Sequence, residues 1–342
     1  MSHLANPLAT PDQLYRRSNF SALPTDLQDL IFFQSQTLTQ AAGLLLQLPQ
    51  SVTAQANVIL ARFWLVEPLL SHEFSSLSAA ALYLVAKLGP SPASPRNIAN
   101  VYTYLLSDHS TLFREQQVAS TKPPDDAGSY TPSEVEYNRF HTTLLALEAR
   151  ILYALGFDTH VALPHPLAVT YLQALDFFEL PNDDGGQVAK KKKSELGALA
   201  VRYLNTALLS PQQLYVTHQP PALAVAAVYN AARDVGAKMP ECAWWEVFDV
   251  EREELGFLVV GMRSLEGWVR RVREDGLVGG LREGMVTRAM VEGEMRRRGL
   301  RMGNGEEEEE VMDEEERMAR LMDERIAERE AEGIVEDAED QV

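Results

Sequence analysis

Two ionisable side chains stand where the surrounding pattern asks for apolar ones. The stretch AAALYLVAKLGPSPAS, residues 79–94, is apolar or small up to Lys87 and then breaks at Gly89-Pro90. Within helical reach Lys87 has Tyr83, Leu84 and Pro90 for neighbours, and no acid. The second is Glu148, in VEYNRFHTTLLALEARILYAL. On a wheel of about 100° per residue with Leu144 at zero, Phe140, Leu147, Ile151 and Leu155 span roughly −60° to +20°, and Glu148 falls near +40°. Its neighbours three and four residues away are Leu144, Leu145, Ile151 and Leu152, so no local cation balances it. Three readings stand. Lys87 can snorkel and favour its helix C-terminus, worth about 0.3–1 kcal/mol. Glu148 can be a rim residue at the edge of its stripe. The two can also meet across a bundle and, left half exposed, offer charge-assisted hydrogen bonds to backbone groups of another protein.

Catalytic chemistry finds little support elsewhere. The seven histidines, His3, His72, His109, His141, His160, His165 and His218, form no metal-ligand pair on one helix face. DDGGQ (183–187) and GLVGGLREG (276–284) do not follow a strand as a phosphate loop would, and no Gly-x-Ser-x-Gly elbow occurs. Nothing calls for a cofactor, and an enzyme is disfavoured. KKKK at 190–193 and RRR at 296–298 read as solvated helix ends, or as halves of a nuclear import signal.

The elements that must position these residues are helical. The chain has 342 residues, 46% of them hydrophobic, which suffices for two ordinary domains. No membrane-length apolar run and no signal-like leader are expected, so the protein reads as neither membrane-spanning nor secreted. A single cysteine, Cys242, excludes an internal disulfide framework and points to a reducing compartment, cytosol or nucleus. The net charge of −18 is concentrated: residues 306–342 hold 18 acids against 4 arginines, net −14, leaving 31 acids against 27 bases, net −4, before them. That near-neutral body lacks the basic face that duplex nucleic acid requires.

Residues 1–24, with Pro7, Pro11 and Pro24, read as an extended arm. Thr25 and Asp26 are candidate caps of a first helix ending near Pro49, a second helix stops near Pro68, AAALYLVAKL is a third, and Ser94-Pro95 opens a fourth. After a polar loop, QVASTKPPDDAGSY, the tetrad Thr131-Pro132-Ser133-Glu134 predicts a capping box for the Glu148 helix, which ends at Gly156. Four more helical stretches follow, and an offset of 146 residues aligns Ala80, Ala81, Tyr83, Ala86 and Lys87 with Ala226, Ala227, Tyr229, Ala232 and Arg233. An internal duplication of an all-helical unit accounts for this. In the tail, pairs such as Asp313 with Arg317 and Glu316 with Arg320 suit an exposed helix or a disordered end.

AAALYLVAKL ahead of PRNIANVY, followed by LEARILYALGFD, resembles the cyclin box. QAAGLLLQLPQ (40–50), ARFW (61–64), LGFDTHVALPHPLAVTYLQAL (155–175) and WWEVFDVEREEL (244–255) are most like cyclin L, a transcription-type cyclin, over roughly residues 25–275. The resemblance implies an all-α chain of two tandem five-helix cyclin folds, an N-terminal cyclin box at 25–160 and a C-terminal cyclin fold at 161–275; the composition adds an acidic helical or disordered tail at 276–342. It also implies a non-catalytic, nuclear regulatory subunit that binds and activates a cyclin-dependent Ser/Thr kinase in RNA polymerase II transcription and RNA processing. Transcription or splicing factors would be further partners; direct nucleic-acid and membrane contacts are not expected. Matched to the family pattern, the kinase contacts are Lys87, Glu148, Leu84, Leu88 and Phe157. The chain departs from that pattern where Leu88-Gly89-Pro90 replaces the acids that usually follow the lysine, in the order of its LPHPLA turn, and in a Glu-rich rather than Arg/Ser-rich tail. A cyclin-fold general transcription factor, or a nucleic-acid-binding adaptor without kinase activation, is the alternative.

Overall fold

The computed structural model describes residues 5–16, 21, 23–113, 130–177, 186–276 and 284–300, without the side chains of 186–194. The acidic run 306–342, residues 117–129 of the polar loop and the side chains of the 190–193 lysines lie outside the described residues. The described residues form twelve α-helices and no strand.

Helices α2 (Thr25–Leu45), α3 (Gln50–Val66), α4 (Phe74–Leu88), α5 (Pro95–Leu106) and α6 (Glu134–Ala154) make a first unit. α4 packs against each of the other four. It is central because its side chains are small where helices must approach: Ala79, Ala80, Ala81 and Ala86 are fully buried. The one polar group on its buried face, Ser78, is satisfied by Thr39 Oγ1 of α2 and Tyr102 Oη of α5, both at 2.7 Å. Gly43 of α2 faces Thr53 of α3 so closely that a Cβ there would stand 2.2 Å from Thr53 Oγ1.

The second unit repeats the plan with α7 (Pro164–Ala174), α8 (Gly186–Leu208), the one-turn α9 (Leu214–Thr217), α10 (Pro220–Val235) and α11 (Arg252–Asp275), plus a 3-10 turn at Trp244–Phe248. α10 takes the place of α4: Ala222 to Val228 are buried throughout, and Gly236 ends the helix at φ 70°. The 146-residue offset therefore joins the two central helices, and Lys87 and Arg233 both sit exposed in the last turn.

Several local expectations are corrected. α2 begins after Pro24, and neither Thr25 nor Asp26 caps it; Asp26 lies in the first turn and meets Arg298 at 2.8 Å. The capping box of α6 is Ser133 with Glu136, two residues later than expected. The sequence carries the box twice in overlap, and the later register leaves Glu134 to pair with Arg96 of α5 at 3.1 Å. Within the arm thought to be extended, Thr10 and Gln13 form a capping box that starts α1 (Pro11–Tyr15). Residues 284–300, counted with the acidic tail, instead pack onto the first unit through α12 (Arg288–Arg297), because Val286, Val291 and Met295 are apolar enough to bury. The amide of Val286 donates to Gln34 Oε1 of α2 at 2.6 Å, and Glu294 is clamped by Arg297 and Arg298.

Polar contacts tie the units together. Arg62 Nη1 of α3 donates to the carbonyl of His160, in the connection between units, at 2.7 Å. Gln50 Nε2 of α3 donates to Asn205 Oδ1 of α8 at 2.9 Å, and the same oxygen faces His165 Nε2 of α7 at 2.9 Å. Asn6 matches its side-chain amide to both backbone groups of Ala162 (2.9 and 2.8 Å), while its own backbone pairs with the Gln219 amide (3.0 and 2.9 Å).

Candidate protein-docking site

α4 and α6 bring Lys87 and Glu148 together, although 61 residues separate them in sequence. Lys87 Nζ donates to Glu148 Oε1 at 3.1 Å. The partners are unequally exposed: the Lys87 side chain retains 55% of its accessible surface and Glu148 only 8%. The hydrogen bond and charge of Glu148 raise the Lys87 pKa above its ordinary value. The Tyr83 ring, one turn earlier, lies 5.6 Å from the ammonium.

The pair has unspent capacity. An ammonium has three donors, and Lys87 gives one to Glu148; a carboxylate has two oxygens, and only Oε1 is engaged by a described residue. The arrangement can therefore donate to a carbonyl and accept from an N–H of an incoming backbone, with each bond charge-assisted. Among the described residues there is no group of three or more His, Cys, Asp or Glu able to hold a metal ion, and no helix is long and apolar enough to cross a membrane.

Of the apolar residues expected at the site, Leu88 and Phe157 are presented outward at 63% and 62% exposure. Leu84 is not: at 2% exposure it is part of the core beneath the lysine turn. Phe157 follows Gly156 in the turn that ends α6, and both have left-handed backbones, φ 62° and 57°. Its amide closes the helix end by donating to Leu152 O at 2.8 Å. A left-handed phenylalanine costs on the order of 1–3 kcal/mol relative to a relaxed one, and here the strain holds an apolar ring in solvent.

Sequence reasoning missed Tyr153, which is exposed and meets Phe157 edge to face at 5.4 Å between centroids. Its signal was available: Tyr153 lies about 180° from Leu144 on the wheel, so an aromatic ring was bound to face outward. It also missed two ion pairs that tie α6 to other segments: Arg150 with Glu67, just past the end of α3, at 2.6 Å, and Glu134 with Arg96 of α5, where the Arg96 guanidinium rests 4.0 Å from the Tyr137 ring centroid. Such pairs join distant segments and leave no local spacing to read.

No family model matches the chain. Among curated proteins it is 28% identical over 256 residues to Cyclin-L2 of Homo sapiens, covering 74% of this chain and 43% of that protein. It is 27% identical over 238 residues to Cyclin-L1 of Gallus gallus, covering 69% of this chain and 39% of that one. The chain thus spans about two fifths of the length of these relatives. Among solved structures, a chain of the yeast RNA polymerase II CTD kinase CTDK-1 complex superposes with a TM-score of 0.55 at 13% identity, covering 88% of this chain and 93% of that chain. At that identity the likeness is one of fold. The all-helical, two-unit architecture expected from the sequence is the one found, and the sequence similarity is to cyclins of the L type.

Proposed function

We propose that this chain, a cyclin by fold and by its similarity to the L-type cyclins, is a regulatory subunit that docks a cyclin-dependent Ser/Thr kinase on the α4–α6 surface. The observation that carries the reading is the unspent hydrogen-bonding capacity of Lys87 and Glu148, held beside the exposed Leu88 and Phe157. A kinase needs a Lys-Glu ion pair in its own active site, and a subunit that fixes the helix bearing that glutamate completes it. The chain would act by position and contribute no catalytic group. Glu148, anchored in the bundle wall, fixes the geometry; Lys87, on the outside, reaches the partner. Leu88, Phe157 and Tyr153 give up apolar surface to it, while Leu84 supports the turn from within.

The similarity to L-type cyclins supports a setting in RNA polymerase II transcription and RNA processing in the nucleus, with transcription or splicing factors as further partners. The test is to purify the protein from its own cells, identify what accompanies it and assay kinase activity. Wild type is expected to bring down an active cyclin-dependent kinase, and the Lys87→Ala, Glu148→Ala double variant to lose it. Recovery of no kinase, or an equally active complex with the double variant, overturns the reading.

A further inference from the structure

The segment after Lys87, GPSPAS (89–94), lies outside any helix and joins α4 to α5. It contains two of the five Ser/Thr-Pro steps in the chain, at Thr10, Ser91, Ser94, Thr131 and Ser210. Three of the hydroxyls are committed. Ser210 is buried and accepts from the Gln212 amide at 3.3 Å. Thr10 and Ser94 are helix caps accepting from the amides of Gln13 and Asn97, with their prolines already in the first turn. Ser91 and Thr131 remain. Ser91, itself half-buried, sits in a bend between the exposed Pro90 and Pro92. The two rings fix φ on either side, and a residue before proline is held extended, so this stretch can be laid into a cleft without unwinding a helix.

We propose that Ser91 is a phosphoacceptor for a proline-directed Ser/Thr protein kinase, and that phosphate at Ser91 competes with Glu148 for Lys87. In the transfer, Ser91 Oγ attacks the γ-phosphorus of ATP, the bond to the ADP oxygen breaks, and the hydroxyl proton passes to the kinase's base. The products are phosphoserine and ADP. The new group carries about −1.5 to −2 charge at neutral pH. Ser91 lies four residues from Lys87, so their Cα atoms are at most about 14 Å apart, and the bends at 89–91 shorten that span. Two cations flank the serine in sequence, Lys87 before it and Arg96 after it, each now holding one acid of α6, Glu148 and Glu134. Lys87 is the freer to turn, being more than half exposed, while Glu148 stays fixed in the wall. Phosphorylation would thus strip the docking surface of its paired geometry. This consequence rests on the function proposed above; the modification site does not.

Three readouts on the full chain separate the parts. The purified native protein is incubated with a proline-directed kinase and Mg-ATP, and phosphopeptides are mapped by mass spectrometry. Phosphate on Ser91, absent in Ser91→Ala, is expected; phosphate only at other positions, or on Ser91 only after denaturation, overturns the site. Without any partner, the NMR signal of Lys87 Nζ is expected to shift when Ser91 is phosphorylated and to stay in place when only Thr131 is. An unmoved Lys87 signal overturns the competition. In capture of the cognate kinase, Ser91 phosphate is expected to lower recovery about tenfold or more. Undiminished capture that still depends on Lys87 overturns the regulatory consequence alone. Capture indifferent to Lys87→Ala overturns the docking reading, while the site and the competition are judged by the first two readouts.

Discussion

At the scale of the residue, Lys87 and Glu148 differ in exposure, and with it in energetics. With its cation half in solvent, the pair is worth at most about 1 kcal/mol to folding. Lys87→Met, which keeps the apolar stem, removes that attraction but also leaves the nearly buried Glu148 carboxylate without its hydrogen bond, so it should lower stability by about 1–3 kcal/mol at neutral pH. The sign of its pH dependence follows from the raised lysine pKa. A group whose pKa is higher folded than unfolded contributes fully below the unfolded value and loses that contribution as pH rises through the folded one. The melting-temperature difference between wild type and Lys87→Met should be flat from neutral pH up to the ordinary lysine value of 10.5 and shrink only above it. A difference that decays well below that value would mean that the pair does not form in solution. The wheel made both charges legible, because each interrupts a periodic pattern. It could not show that Leu84 is buried while Leu88, one turn on, is exposed, since that depends on where the bundle ends. The left-handed backbone of Phe157 was equally hidden, because only the preceding glycine announces such a turn.

At the scale of the element, positions within a helix matter most where another helix comes close. Gly43 is the sharpest case: a methyl there would overlap Thr53 Oγ1 at 2.2 Å and Cγ2 at 2.7 Å, and a short β-branched side chain cannot swing clear. Gly43→Ala should cost about 1–3 kcal/mol in chemical denaturation, and adding Thr53→Ala should recover most of it. Additive losses in the double variant would contradict this packing. Helix existence and order were readable from apolar period and breakers, but the α6 cap was not, since two overlapping boxes satisfied the same rule. α12 was missed because ten residues rich in Arg and Glu carry only a few apolar anchors, which gain meaning from the α2 surface they cover. Its clamp is electrostatic as well: Arg297 and Arg298 hold the Glu294 carboxyl down to about 2.

At the scale of the whole molecule, one helical plan is used twice, and the joint between the copies is polar and specific. The sequence offset announced the repetition through alanines that α4 and α10 need at their crossings. It could not announce Asn6, which lies in an arm of ordinary polar composition and finds its partners 156 and 213 residues away. Asn6→Ala would strand both backbone groups of Ala162 and should lower stability by about 2–3 kcal/mol. Thermal unfolding of the intact chain reads this directly, and an unchanged melting temperature would remove the arm from the joint.

The central claim is that the charge pair serves a partner rather than the fold, and exchanging the two charges separates these roles. In Lys87→Glu with Glu148→Lys the internal attraction is restored with opposite polarity, so the fold is retained, but an incoming backbone meets a donor where it needs an acceptor. Binding of a purified cognate kinase to wild type, to each single variant and to the exchanged pair is the most direct measurement. The expected result is a folded exchanged protein that binds as poorly as the singles; an exchanged pair that regains wild-type affinity would contradict the account.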